Sequence, residues 1–196
     1  MMQNMHALAA GPLDHHDNIF ENGNVALQDA SHHARVGFRG RHAAWYLQQR
    51  GFELPDQPNQ ARWQSDGSLV ARLSQTEYLL LAASDESQSR IQQEESDWQM
   101  SELSCYALPR QDTYAWLMLS GTILPKMMAK LCAVDLSARN FAAGAIAQTS
   151  VARANAIVIN ASRGETVQFW LLVDYSMAVY FWDVLLDATT EFSVVR

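Results

Sequence analysis

Histidine is missing from most of this chain. Of 196 residues six are histidine, and all of them (His6, His15, His16, His32, His33 and His42) fall at or before position 42. From residue 43 onward no imidazole is available as a base, a proton shuttle or a metal ligand. Cysteine is nearly absent too: Cys105 and Cys132 stand alone, without metal or redox spacing. These shortages exclude most zinc sites, Cys-His proteases and Ser-His-Asp hydrolases from the body of the fold. Lysine occurs only at Lys126 and Lys130, against 12 scattered arginines and a net charge of −7. Phosphate-backbone affinity needs concentrated cations, so no nucleic-acid partner is expected. Long apolar runs are lacking as well. The richest, Phe169–Val173, ends at Asp174, far short of the ~18 residues that suggest a span, so no membrane partner is expected. The first residues have neither a basic n-region nor an unbroken apolar h-region. With two thiols that read as reduced and buried, the expected compartment is the cytoplasm.

What is present is the balance of a soluble globular protein, 48% hydrophobic and 18% charged. The length suits one large domain or two small ones. Residues 1–30, rich in Asn, Asp, Gly and His without apolar periodicity, read as a flexible N-terminal tail. A first unit spans 31–110. Ala34–Arg39 is a strand, His42–Gln49 a helix closed by Gly51, and LPDQPN a turn-rich link. Leu69–Leu73 and Tyr78–Ala82 form a hairpin after Asp66-Gly67, Asp85–Trp98 a surface helix and Leu103–Leu108 a strand. A second unit, 111–196, follows in similar order. It has strands at Tyr114–Leu119, Ala145–Arg153, Ala156–Ile159, Val167–Val173 and Phe192–Val195, and helices at Ile123–Leu131 and Tyr175–Thr189. The order predicts an α+β fold of two ferredoxin-like (β-α-β-β-α-β) units in tandem, packed tightly enough to count as one domain, with a boundary near Pro109–Asp112.

Strong catalytic motifs are not found, and no residue is assigned a catalytic or metal-binding role. Adjacent pairs such as His15-His16 and His32-His33 point to different faces of any regular element, which disfavours chelation. Asp183 and Asp187, like Glu94-Glu95, read as solvated helix faces, and Asp135 as a cap or an orienting group for an arginine. Gly37-Phe38-Arg39-Gly40 reads as a tight strand-to-helix turn, with a backbone anion nest as the alternative. Arg39, Arg72 and Arg153 lie in strand-like segments where bidentate carboxylate recognition is feasible, which makes them candidates for an anion or folate contact. The aromatics of the last strand and helix exceed what one buried face needs. Trp170, Tyr175, Tyr180 and Trp182 are therefore candidates for an exposed interface.

Several segments in order carry a resemblance. They are Val36–Gly40 through Ala43–Leu47, then Gly51, Leu54-Pro55 and Pro58-Asn59, then Asp66-Gly67, Val70–Leu73 and Glu77–Leu80. In the second half they are Leu119–Gly121, Leu131, Val134–Leu136, Phe141, Gly144, Gln148-Thr149, Val151–Arg153 and Tyr175–Leu186. The chain resembles the gamma subunit of heterotetrameric sarcosine oxidases. That family is similar in fold to the glycine-cleavage aminomethyltransferase, the T-protein. The resemblance implies a noncatalytic small subunit packed against larger alpha and beta subunits and a small delta subunit. The complex would use FAD, FMN, NAD and tetrahydrofolate, with no cofactor in this chain and the folate in the large subunit. The acidic pair in a Gly-rich hairpin that the transferase uses around folate is not found here. Two alternatives stay open: a stand-alone folate-binding or aminomethyltransferase-like protein, and a gamma-type subunit of a related N-methyl amino acid dehydrogenase.

Overall fold

In several strands, runs of apolar residues persist where a half-exposed sheet would alternate, because both faces of each sheet are covered. The computed structural model describes residues 11–13 and 19–192. In chain order the elements are β1 (Ile19–Glu21), β2 (Ala26–Asp29), β3 (Arg35–Arg39), α1 (Ala43–Gln49), β4 (Gln60–Trp63), β5 (Ser68–Arg72), β6 (Glu77–Ala82), α2 (Asp85–Asp97), β7 (Tyr106–Pro109), β8 (Tyr114–Ser120), α3 (Leu124–Met128), β9 (Ile146–Val151), β10 (Ala154–Asn160), β11 (Gln168–Asp174) and α4 (Ala178–Thr189). Two sheets result, a five-stranded one in the order β4-β5-β6-β3-β7 and a six-stranded one in the order β1-β2-β8-β11-β10-β9. All the pairings are antiparallel.

The two-residue side-chain period sends alternate residues into different cores. In β5 and β6, Val70, Tyr78 and Leu80 pack with α1 and α2, while Leu69, Ala71, Leu79 and Leu81 face the other sheet. In β8 and β11, Leu117, Leu119, Leu171 and Val173 pack with α3 and α4, while Trp116, Trp170 and Leu172 face back. The layers therefore run helices, sheet, sheet, helices. Helix α2 starts cleanly because the Ser84 hydroxyl accepts from the Ser87 amide and the Ser87 hydroxyl accepts from the Ser84 amide. This reciprocal cap satisfies donors a helix start otherwise leaves open.

The halves repeat one backbone crossing. Gly40 after β3 and Gly121 after β8 adopt φ of 142° and 137°. Each donates its amide to the residue preceding a neighbouring strand, Thr76 at 2.9 Å and Val167 at 3.0 Å. A methyl group on Gly40 would strike the Ser104 carbonyl, and on Gly121 the Asn24 carbonyl. Ser104 lies just before β7 and Asn24 just before β2, so β2 holds beside β8 the place that β7 holds beside β3.

Four expectations change. Residues 19–29 were expected in a flexible tail; they form β1 and β2, and Val25 and Leu27 lie 2% and 1% exposed in the core beneath α3 and α4. Their polar neighbours hide the pattern because two strands this short show no periodicity. Each unit also carries three strands between its helices where β-α-β-β-α-β has two: β4 pairs with β5 and β9 with β10. The expected last strand, Phe192–Val195, begins at a residue that ends a 3-10 turn, and the rest of it lies outside the described residues. Residues 152–153, expected inside a strand, turn between β9 and β10 with φ of 49° and 67°.

Deleting residues 1–30 tests the integral role of β2. Removing the side chains of Leu13, Val25 and Leu27 forfeits roughly 1.5–3 kcal/mol each. The melting temperature should fall by about 10 °C or more in a calorimetric scan, whereas removal of an idle tail would leave it unchanged.

Candidate functional site

Where the two sheets meet, a charged side chain is buried. Arg35, 1% exposed, opens β3 and sends its guanidinium across the seam. Its Nη1 donates to the Ser31 and His33 carbonyls at 2.8 and 2.9 Å. Its Nη2 donates to the Gln111 carbonyl at 2.8 Å and to the Tyr114 carbonyl. The β2–β3 turn is thus fastened to the β7–β8 connection. Burial pushes the guanidinium down to about 10, opposed by nearby Asp29 and then Tyr175 and Asp112. It stays charged at neutral pH. Asp29 in turn accepts from the Ser31 amide at 2.9 Å, and the Ser31 hydroxyl accepts from the Trp116 amide at 2.9 Å.

Aromatic rings fill the space beside it. Trp116 and Trp170 meet edge-on at 4.8 Å, Trp63 meets Trp170 at 5.2 Å, and His33 lies 5.7 Å from Trp116. Burial, then the neighbouring His32, holds the His33 imidazole below its ordinary value. Elsewhere, burial pushes the Cys105 thiol up to about 11, so it is protonated and unreactive at neutral pH. Among the described residues, no group of three or more His, Cys, Asp or Glu side chains is arranged to hold a metal ion.

The three candidate arginines are not gathered at one cavity. Arg39 is largely exposed and lies 3.9 Å from Glu77. Arg72 is consumed locally, donating to the Pro55 and Asp56 carbonyls at 3.2 and 2.7 Å and to the Gln75 side chain at 2.9 Å. Arg153 is exposed in the β9–β10 turn. The aromatic candidates divide. Trp170 is 1% exposed in the seam, and Trp182 is 2% exposed beneath α4. Trp182 falls inward because the buried stripe of α4 takes in Ala178, Phe181, Trp182, Leu185 and Ala188, wide enough to include adjacent residues. The expected exposure of Trp182 and Trp170 is therefore corrected. Tyr175 is half-buried, and Tyr180, 41% exposed, donates its hydroxyl to the Ala152 carbonyl at 2.7 Å. Residue-by-residue reading passed over Arg35, although a cation between Ala34 and Val36 in a strand was the available signal.

An open cleft of about 760 Å³ lies at one end of the six-stranded sheet, where β9 turns into β10 and β11 ends. Ile157 and Leu172 form its floor, with Gln148, Ser150, Asn155 and Asp174 among its walls, and none of Arg39, Arg72 or Arg153 lines it. Hydrogen bonds from the Ser176 hydroxyl and amide hold the Asp174 carboxyl below the usual carboxylate range. The site is thus polar and faintly acidic.

These features match known proteins. The model of the family described as "Sarcosine oxidase, gamma subunit family" matches residues 40–191. The chain belongs to that family. The match begins at the residue after β3 and runs past the end of α4. No curated protein matches the chain in sequence. Among solved structures, a chain of the heterotetrameric sarcosine oxidase from Corynebacterium sp. U-96, in complex with pyrrole 2-carboxylate, is similar with a TM-score of 0.74 at 21% identity. The alignment covers 95% of this chain and 97% of that one. The glycine cleavage system aminomethyltransferase T from Bartonella henselae is similar with a TM-score of 0.61 at 16% identity. That match covers 82% of this chain but 45% of the transferase. The α+β, T-protein-like fold expected from sequence is the fold observed.

Two measurements probe the seam. Replacing Arg35 by Met strips four backbone carbonyls of a charged donor. The expected loss, roughly 3–5 kcal/mol, is readable by denaturant unfolding; a loss below about 1 kcal/mol would mean the cradle is dispensable. His33 binds its proton more weakly folded than unfolded, so its contribution is whole above pH 6.5 and is lost as pH falls through the lower folded value. Stability should therefore drop less between about pH 7.5 and pH 5.5 in His33→Gln than in the parent protein. Identical drops would refute the assignment.

Proposed function

We propose that this chain is the noncatalytic gamma subunit of a sarcosine oxidase-like amine oxidase complex. It packs against larger alpha and beta subunits and a small delta subunit in the cytoplasm. The observation that carries this reading is the family match over residues 40–191. The similar chain in the bacterial heterotetrameric oxidase, aligned nearly end to end, supports it. FAD, FMN and NAD belong, in this reading, to the other subunits, with tetrahydrofolate accepting the one-carbon unit in the largest. Of the four aromatic candidates, Tyr175 and Tyr180 are the ones that reach the surface. Among the described residues no helix is long and apolar enough to cross a membrane.

A stand-alone folate binder would need cations converging on a cavity to meet the glutamyl carboxylates. Arg39, Arg72 and Arg153 do not line the large cleft, and the hydrogen bonds of Arg72 are made to its own loops. Co-production with the alpha, beta and delta subunits of a sarcosine oxidase should place this chain in one complex on size-exclusion chromatography. A chain that elutes as a separate species at every concentration would overturn the reading. Calorimetric titration of the isolated chain with tetrahydrofolate should give no heat at high micromolar ligand; binding there would favour the folate-binding alternative.

A further inference from the structure

Strand β9 is an edge strand with a break in its outer bonding. At one end the Ile146 amide donates outward to the Asn59 carbonyl at 2.9 Å. At the other, the Ala152 amide donates outward to the Leu131 carbonyl at 2.8 Å, and a bridge joins Cys132 with Val151. The two-residue strand period turns the Gln148 and Ser150 amides to the same outer side. Neither has a hydrogen-bond partner among the described residues, and neither do the side chains of Ser150 and Asn155. These groups border the 760 Å³ cleft, whose floor is apolar at Ile157 and Leu172. Asp174 at its wall makes no ion pair among the described residues, and no Lys, Arg or His lines the cleft. Free outward amides on a strand edge take another extended chain. An ionised carboxylate without a counter-charge among the described residues complements a cation.

We propose that the outer edge of β9 at Gln148–Ser150, with the cleft beside it, seats an extended segment of a larger subunit, which adds a short strand and brings a basic residue to Asp174. The inference rests on the subunit reading above and deepens it by naming the contact. A helix does not suit the seat, because its own backbone groups are already paired and leave the edge amides unanswered. A small anion does not suit it either, since the only charge in the walls is negative.

Amide hydrogen exchange on the assembled complex and on the isolated chain tests this directly. The Gln148 and Ser150 amides should exchange fast in the isolated chain and roughly tenfold or more slowly in the complex. A second variant separates contact from folding. Ser150→Pro removes an outward N–H that bonds to nothing among the described residues, so the isolated chain should melt within about 2 °C of the parent. Its incorporation into the complex should fall about tenfold, while Ser150→Ala, which keeps the amide, assembles normally. A complex that forms with both amides exchanging as in the free chain overturns the proposed seat and leaves the subunit reading standing. Slow exchange already in the isolated chain also overturns it, because the edge is then covered from within. Failure to form any complex removes both.

Discussion

A single buried cation sets the relation between the two sheets. Arg35 cannot leave water without replacing the hydration of its guanidinium. It does so with four backbone carbonyls drawn from the β2–β3 turn and from the β7–β8 connection. Hydrogen bonds to a charged donor contribute more than neutral ones, about 1.5–3 kcal/mol each, and together they offset a desolvation cost of several kcal/mol. The guanidinium also has a fixed planar fork, so the carbonyls it gathers are held at fixed directions. Those carbonyls belong to segments that enter β3 and β8, the strands that occupy matching positions in their sheets. The placement of the Trp116–Trp170 layer, and of the cleft beyond it, follows from that clamp.

The second constraint is where the N-terminal strand goes. Gly40 and Gly121 permit one close crossing in each half, the first against Ser104, two residues before β7, and the second against Asn24, two residues before β2. The second sheet therefore completes itself with a strand made before the first sheet begins. A cut near Pro109–Asp112 would not yield two independent units, because β2 would leave with the wrong half. The Arg35 cradle reinforces this, as it spans the same boundary. The chain is best treated as one cooperative body despite its internal repetition.

Much of this was legible in the residues, for identifiable reasons. The apolar runs at Leu69–Leu73, Tyr78–Ala82, Tyr114–Leu119 and Val167–Val173 announce strands because both their faces are buried. Tyr175–Thr189 announces a helix through its period. Strands β1, β2 and β4 did not show, since three or four residues with polar neighbours carry no pattern above chance. The face of α4 was misjudged because its buried stripe takes in the adjacent Phe181 and Trp182, where a narrower stripe would expose one of them. The seam escaped notice because its parts, Arg35, Ser31, Gln111 and Tyr114, lie up to 83 residues apart and meet only through backbone carbonyls, which carry no sequence signature. The ordered residues of the family resemblance carried more about function than any single motif.

The open ends of β9, β10 and β11 give the surface its character. Six strands face five, and each sheet already has a helical layer on its other side. The sixth strand, β1, lies at the edge away from β9, and the cleft opens instead at the ends of β9, β10 and β11, where the inter-sheet packing stops. There the lining changes from Trp116, Trp170 and Ile159 to Ser150, Asn155 and Asp174, side chains that water can satisfy. Polar walls over an apolar floor keep the free chain soluble and still reward a segment that supplies hydrogen bonds. A fully apolar overhang would have promoted indiscriminate association, and a fully closed seam would have left no place for another subunit. The structure lies between these limits, and a polar-walled cleft beside an open strand edge, rather than a catalytic residue, is what marks this surface.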